Sequence, residues 1–523
     1  MGLTRIAVGR LSSANAAADV KTNDDDQHET DAHLLLLGWR STSRDRLSSF
    51  LFLRGYTHAN HLRLWTGSYA ACCVRSLSKR AGLIVAIVSF FPMEAVMRTN
   101  DLKFSPPRRA RAIRMAMIVA IVSLYIGSNA SIVAVDRSDA STTAPVAAIK
   151  SIASDAMKQY ELKSIIVQVT SNGRSVYTGA LGESMTGVPA TPDMHFRAGA
   201  MAFTYMSTML MELVDQRKVK LDDKLNKFLP SLPYADRITL RNLANMTSGY
   251  ADYVYQPEVL HSVVFEPFRQ WSPEELIQIG TSKPMMFEPG TNWGYSHTNY
   301  VILGRVLEKV TGMPLSDAMQ KYIYGPMDLQ QTQSFNTPQI PSPVLHTFSS
   351  ERRADLGVAT DVPFYEESTF WNPSWTTAEG AVQTTDVTDT TKTMVAVGSG
   401  KLLSKASWEA QVGPNLVGFG HTDPKCPVCR PNSAAFNYGL GVLNVGPWVA
   451  QSKGFAGCDA MVGYLRSKDL SIAVVVTYGP TAFDEKGNPR NADVSRKVFA
   501  LLTQALAPDT LPREVMRDLV GKN

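Results

Sequence analysis

Cysteine is scarce in this chain, with five in 523 residues. That is too few for a disulfide scaffold, so the fold has to rest on an apolar core. Cys72 and Cys73 are neighbours, Cys426 and Cys429 form a Cys-x-x-Cys, and Cys458 stands alone. With His421, the Cys426/Cys429 pair is one ligand short of a four-ligand zinc site. The spacing reads instead as a surface loop, with the bonding of Cys426 to Cys429 left open, and no metal or cofactor is implied. Long apolar runs are missing too. The stretch 82–97 is broken by Pro92 and Glu94, and the twelve residues from Met115 to Ile126 fall short of the ~20 that span a bilayer. A charge excess of one sign is also absent from the main part. Residues 1–114 hold 17 Lys and Arg against 9 Asp and Glu, a net +8, which leaves −3 for the rest of a chain whose total is +5. A mildly acidic body excludes a basic nucleic-acid footprint, so no nucleic-acid partner is expected.

What is present falls into five segments. Residues 1–114 form an N-terminal extension with no steady hydrophobic period. Arg108, Arg109, Arg111 and Arg114 then precede the apolar stretch, and Ser128-Asn129-Ala130 supplies small residues behind it. This is the pattern of a signal peptide, with translation starting at Met97 or Met115. The alternative is a membrane anchor over 115–135 with its basic side in the cytoplasm. Either places the main domain outside the cytoplasm. Residues 136–146 read as a Ser/Thr/Ala linker, 147–510 as the folded domain, and 511–523 as a tail.

Inside the domain, 147–160 has helical periodicity. Two apolar stretches, 164–170 and 176–180, flank Asn172-Gly173, which is a hairpin signal. The organising stretch is 195–223. Phe196-Arg197 enters a small-residue turn at Ala198-Gly199-Ala200, and a long apolar helix follows. Next come Leu221-Asp222-Asp223, Thr247-Ser248-Gly249, Pro289-Gly290 and Tyr295-Ser296-His297-Thr298-Asn299-Tyr300. These stretches resemble the β-lactamase and penicillin-binding-protein-like serine hydrolases, in the branch of class C β-lactamases, D-alanyl-D-alanine carboxypeptidases and related esterases. The resemblance covers about residues 150–510. It implies an α+β fold, with an antiparallel sheet flanked by helices and a mostly helical region between about 222 and 327.

The resemblance also implies a chemistry that this chain does not spell. In the family the turn reads Phe-Arg-x-Gly-Ser-x-x-Lys, and the serine attacks a carbonyl with the lysine as its base partner. Here those positions are Ala200 and Phe203. Ala200 has no hydroxyl and Phe203 has no amine. Tyr295 survives at the tyrosine base position, and His297 replaces an asparagine. A tyrosine needs a cationic neighbour to act as a base at neutral pH. The family's late His-x-Gly falls on Phe455-Ala456-Gly457, or with its histidine at Gly457, and neither alignment supplies His or Lys. Cys458 and the serines Ser207, Ser248 and Ser296 are the other nucleophile types in these stretches. Two function classes follow. One is a non-hydrolytic protein that keeps a cleft for a peptide, cell-wall or ester-type ligand. The other is an active amide or ester hydrolase with a relocated nucleophile.

Overall fold

The computed structural model describes residues 140–335 and 337–520. The extension over 1–114 and the signal-peptide or anchor segment over 115–135 lie outside the described residues. Among the described residues, no helix is long and apolar enough to cross a membrane.

Helix α1 (Ala140–Gln159) includes residues 140–146 of the segment read as a linker, 136–146. Ala140 and Ala144 favour helix there, and the helix accommodates Pro145. The tail is also shorter than its sequence reads, because Arg513–Val520 is a helix. Its Val515, Met516, Leu519 and Val520 pack against the core.

The main sheet has eight strands. They are β1 (Leu162–Ser171), β2 (Arg174–Met185), β3 (Val188–Pro189), β4 (Phe436–Tyr438), β5 (Leu443–Val445), β6 (Trp448–Phe455), β7 (Cys458–Leu465) and β8 (Leu470–Tyr478). The spatial order is β3-β2-β1-β8-β7-β6-β5-β4, and neighbouring strands pair antiparallel. The β1–β2 turn is Asn172-Gly173, both at positive φ (51° and 71°), as a tight hairpin requires. First and last strands meet because β1 pairs with β8, from Leu162 opposite Tyr478 to Ser171 opposite Leu470. Both are apolar on both faces, as central strands must be.

Each face of the sheet is covered by helices. Further helices are α2 (Met201–Asp215), α3 (Thr298–Thr311), α4 (Val387–Ser399) and α5 (Val494–Leu506). Successive residues of β7 report the two layers, since side chains alternate along a strand. Gly463 meets Phe499 of α5, and Tyr464 meets Gly398 of α4. Helix α1 packs with α5, and α2 packs on β6 from the other side. Between 222 and 327 the elements are helical, as the sequence reading expects.

Twelve of the fifteen residues of α2 are buried, from Met201 to Leu213 without Glu212. It is rich in Met and Leu, good helix formers, and its charges, Glu212 and Asp215, sit in the last turn. A helix apolar nearly all round needs partners on every side. It finds α3 and β6 among them.

The turn after β4 closes on α2. Gly441 has φ of +70°, and a Cβ there would lie 2.3 Å from the Phe203 carbonyl oxygen and 2.6 Å from Ser207 Oγ. Gly441→Ala is therefore expected to destabilise the domain by about 2 kcal/mol or more, from strain plus clash. The check is the denaturant midpoint, and an unchanged midpoint would show that this turn yields freely.

Candidate functional site

The site is built where three segments meet. The first is Phe196–Arg197, which pairs with Gln383–Thr385 in a small three-stranded sheet. That pairing fixes the turn into α2, because Ala198 N also donates to the Gln383 carbonyl at 3.0 Å. Gly199 has φ of +56°, and Ala200 caps α2 with no side-chain hydrogen bond. The second segment is β6. A Cβ on Gly199 would lie 2.7 Å from Lys453 Cβ, so only glycine lets the turn come this close. The third is the loop carrying Tyr295 and His297, which leads into α3. Together they line a cleft of about 220 Å³.

Ala200 and Phe203 both line this cleft. Phe203 is 1% exposed. Its ring stacks on Tyr300 at 4.1 Å between centroids and 19° between planes. His297 presents an edge to it at 5.7 Å, and Tyr295 sits tilted at 6.0 Å. Three aromatic neighbours therefore surround the position where an ammonium would stand. Tyr300 is anchored in turn, donating to the Ala244 carbonyl at 2.7 Å and bonding Ser207 Oγ at 2.8 Å.

Tyr295 is half-buried. Burial pushes its phenol well above the ordinary value, and the Asp252 carboxylate and neighbouring tyrosines push it further, against a partial offset from Arg496. Such a phenol stays protonated at neutral pH, which is the wrong state for a base. His297 lies edge-on to it at 5.2 Å between ring centroids. Its Nδ1 donates to Asp252 Oδ2 at 2.9 Å, and Asp252 is buried.

The serines weighed as relocated nucleophiles are all buried. Ser207 is bonded to Tyr300 and Ser248 donates to Asn299. Ser296 Oγ has no partner among the described residues, and its residue does not line the cleft. Cys458 is buried, and Lys453 Nζ lies 2.8 Å from its sulfur. Burial raises the thiol pKa, and Lys453 offsets this only in part. A protonated, enclosed thiol is a poor nucleophile.

The late strand differs from the sequence reading in register. Phe455 ends β6 and pairs with Cys458, so Ala456-Gly457 is the hairpin turn. The residues of β6 that adjoin α2 and its turn are Gln451 to Lys453. Gln451 Nε2 donates to the Gly441 carbonyl at 2.9 Å, where Thr204 Oγ1 of α2 also donates at 2.7 Å. The correction is that a lysine, Lys453, does stand beside the Gly199 turn. The hairpin register, invisible in a one-dimensional alignment, decided it. Phe455 stacks on Trp375 at 6.1 Å, and Gly457 (φ +79°) sits where a Cβ would strike the Phe348 carbonyl. Cys426 and Cys429 are joined by a disulfide, which the sequence left open, and both are buried rather than at the surface. Cys429 bridges to Gly294, next to Tyr295.

With this geometry in place, comparison with known proteins becomes informative. The profile of the family described as Beta-lactamase matches residues 149–496. The chain belongs to the Beta-lactamase family. Penicillin-binding protein 4* of Bacillus subtilis is 31% identical over 147 residues, 28% of this chain and 31% of that protein. Penicillin-binding protein 4 of Amycolatopsis lactamdurans is 31% identical over 157 residues, 28% of this chain and 38% of that protein. The matches thus span about a third of these relatives' lengths. Among solved structures, a D-stereospecific amidohydrolase from Streptomyces aligns with TM-score 0.55 at 22% identity, covering 68% of this chain and 98% of that one. A penicillin-binding protein homologue from Pyrococcus abyssi gives 0.55 at 18%, covering 71% and 80%. At such identities the structural likeness establishes the fold, an antiparallel sheet flanked by helices.

One titrating group distinguishes the far side of the cleft. Asp459 is buried, accepts from Tyr478 Oη at 2.8 Å and Ser495 N at 3.2 Å, and is pushed up to about 6, chiefly by burial. An acid raised in the folded state costs stability only when ionised. That cost is absent below the unfolded value near 3.8 and complete above about 6. Asp459→Asn is therefore expected to gain on the parent by up to about 3 kcal/mol between pH 4 and pH 7, measured by urea unfolding. A constant difference across that range would show that Asp459 titrates normally.

Proposed function

We propose that this member of the Beta-lactamase family does not hydrolyse its ligand. It keeps the cleft to bind a peptide, cell-wall or ester-type molecule. The observation that carries this reading is Phe203. Where the family's base would stand, a buried ring is stacked on Tyr300 and edged by His297, and Ala200 beside it has no hydroxyl. Losing one member of a nucleophilic set can cost on the order of a million-fold in turnover, and here two are replaced. Relatives named penicillin-binding proteins make a penicillin a reasonable probe.

Covalent labelling with a fluorophosphonate tests the reading. The expected result is no label on the unmodified protein and no hydrolysis of β-lactam, D-alanyl peptide or simple ester above background. A labelled serine would mean that a relocated nucleophile exists. Ala200→Ser alone and Phe203→Lys alone are expected to stay inactive. Phe203→Lys also places an ammonium against the Tyr300 ring, at a cost of about 3 kcal/mol or more, read as a lowered melting temperature. The double variant Ala200→Ser/Phe203→Lys is expected to acylate slowly with a penicillin, provided that its melting curve shows a folded protein.

Export is part of the same proposal, motivated by the arginines at 108–114 before the apolar stretch at 115–126. Protein recovered from its native host is expected to begin near Ser131 or to fractionate with membrane. A soluble cytoplasmic product retaining residues 1–114 would overturn it.

A further inference from the structure

Lys453 and Cys458 meet across the β6–β7 hairpin. Phe455 pairs with Cys458, and Lys453 with Ala460. Side chains alternate along a strand, so these four share one face of the hairpin, with Cys458 diagonal to Lys453. Lys453 Nζ lies 2.8 Å from the Cys458 sulfur. The lysine is 7% exposed and the cysteine 2%. A cation buried this far is normally paired with a carboxylate. Among the described residues, the hydrogen bond of this ammonium goes to the sulfur instead. Asp459, next along the strand, is engaged by Tyr478 Oη and Ser495 N. The Phe196 ring lies 5.3 Å from Nζ, and the Gly199 turn packs against the lysine's Cβ. These contacts hold the side chain against the thiol.

A thiol oxidised to the sulfenic level condenses with a nearby thiol or nitrogen. Cys458 is the free cysteine among the described residues, since Cys426 and Cys429 are joined to each other. No disulfide partner is therefore at hand, and the nitrogen in contact is that of Lys453. Both residues line the cleft, which gives dioxygen, small and uncharged, a route to them. The pair holds the same protons as amine and thiol or as ammonium and thiolate. The second form is the one that an oxidant attacks, and the adjoining ammonium favours it. The 2.8 Å separation leaves room for one bridging oxygen.

We infer that Lys453 and Cys458 form an oxidative modification site, where dioxygen joins them through a covalent N–O–S bridge. The amine and the thiol each give up one hydrogen. One oxygen atom enters between nitrogen and sulfur, and the other leaves as water with the two hydrogens. Nitrogen and sulfur are oxidised equally, and dioxygen is fully reduced. The bridge removes the ammonium charge from the cleft wall and staples the hairpin beside the Gly199 turn. Oxidation thus sets the charge of the cleft, whether or not the cleft hydrolyses its ligand. The test holds the full chain in air-saturated buffer, or under nitrogen with dithiothreitol. Each sample is then denatured, alkylated with iodoacetamide and digested with trypsin for mass spectrometry. The expected aerobic product is a peptide uncut after Lys453 and unalkylated at Cys458. Its mass exceeds that of the reduced, unalkylated sequence by one oxygen less two hydrogens, and dithiothreitol is expected to reverse the change. Cys458→Ser and Lys453→Arg are each expected to abolish it, and the peptide readout on the unmodified protein stands even if a variant fails to fold. Complete alkylation of Cys458 after aerobic exposure overturns the site. Oxygen added at Cys458 with normal cleavage after Lys453 also overturns it, as the mark of a thiol oxidising alone. Loss of two hydrogens with no oxygen gained is an N–S bond, and a product that resists dithiothreitol is a sulfinamide. Either overturns the bridge.

Discussion

The burial of α2 is the constraint on which the rest of this fold depends. Its fifteen residues carry charge only in the last turn, and twelve are buried. A helix of this kind has no face to offer water, so it must be wrapped on all sides. Strand β6 supplies one side and α3 another. The N-terminal end of α2 consequently lies at the junction of sheet and helical region. A cleft forms there because three segments end together and leave room for a ligand.

That junction is where the aromatic cluster replaces charge. A lysine at 203 would have to be desolvated beside Tyr300, at a cost that only a nearby anion or hydroxyl could offset. Phenylalanine needs no such compensation. Its stack on Tyr300 and its contacts with His297 and Tyr295 turn a polar junction into part of the apolar core. His297, no longer facing a lysine, is held by the buried carboxylate of Asp252. Tyr295 is left with a phenol whose proton is held more tightly than in water. The substitution at 203 thus reaches its neighbours through packing and electrostatics together.

Polarity persists elsewhere in the cleft. Arg197 and Thr377 line it and carry buried side-chain atoms that lack partners among the described residues, as Ser296, Trp293 and Thr503 do away from it. Thr204 and Gln451 share the Gly441 carbonyl, and Ser164 bonds Thr477.

The sequence by itself determined the elements and their class. The alternating and continuous apolar stretches, Asn172-Gly173 and the run after Ala200 specify hairpin, central strands and buried helix through local periodicity and turn chemistry. The absence of hydroxyl and amine at 200 and 203 is equally legible, because it is a matter of atoms. The helical state of residues 140–146 and 513–520 was not, since weak helical signals become decisive only when packing rewards them. Tertiary structure alone decided what faces what. The register of the β6–β7 hairpin put Lys453 beside Gly199 and moved Phe455 and Gly457 to the turn. Strand pairing set Thr384 opposite Arg197 across almost two hundred residues, and packing of two helix starts brought Asp252 to His297. Such contacts depend on register and long-range pairing, to which no local pattern in the chain responds.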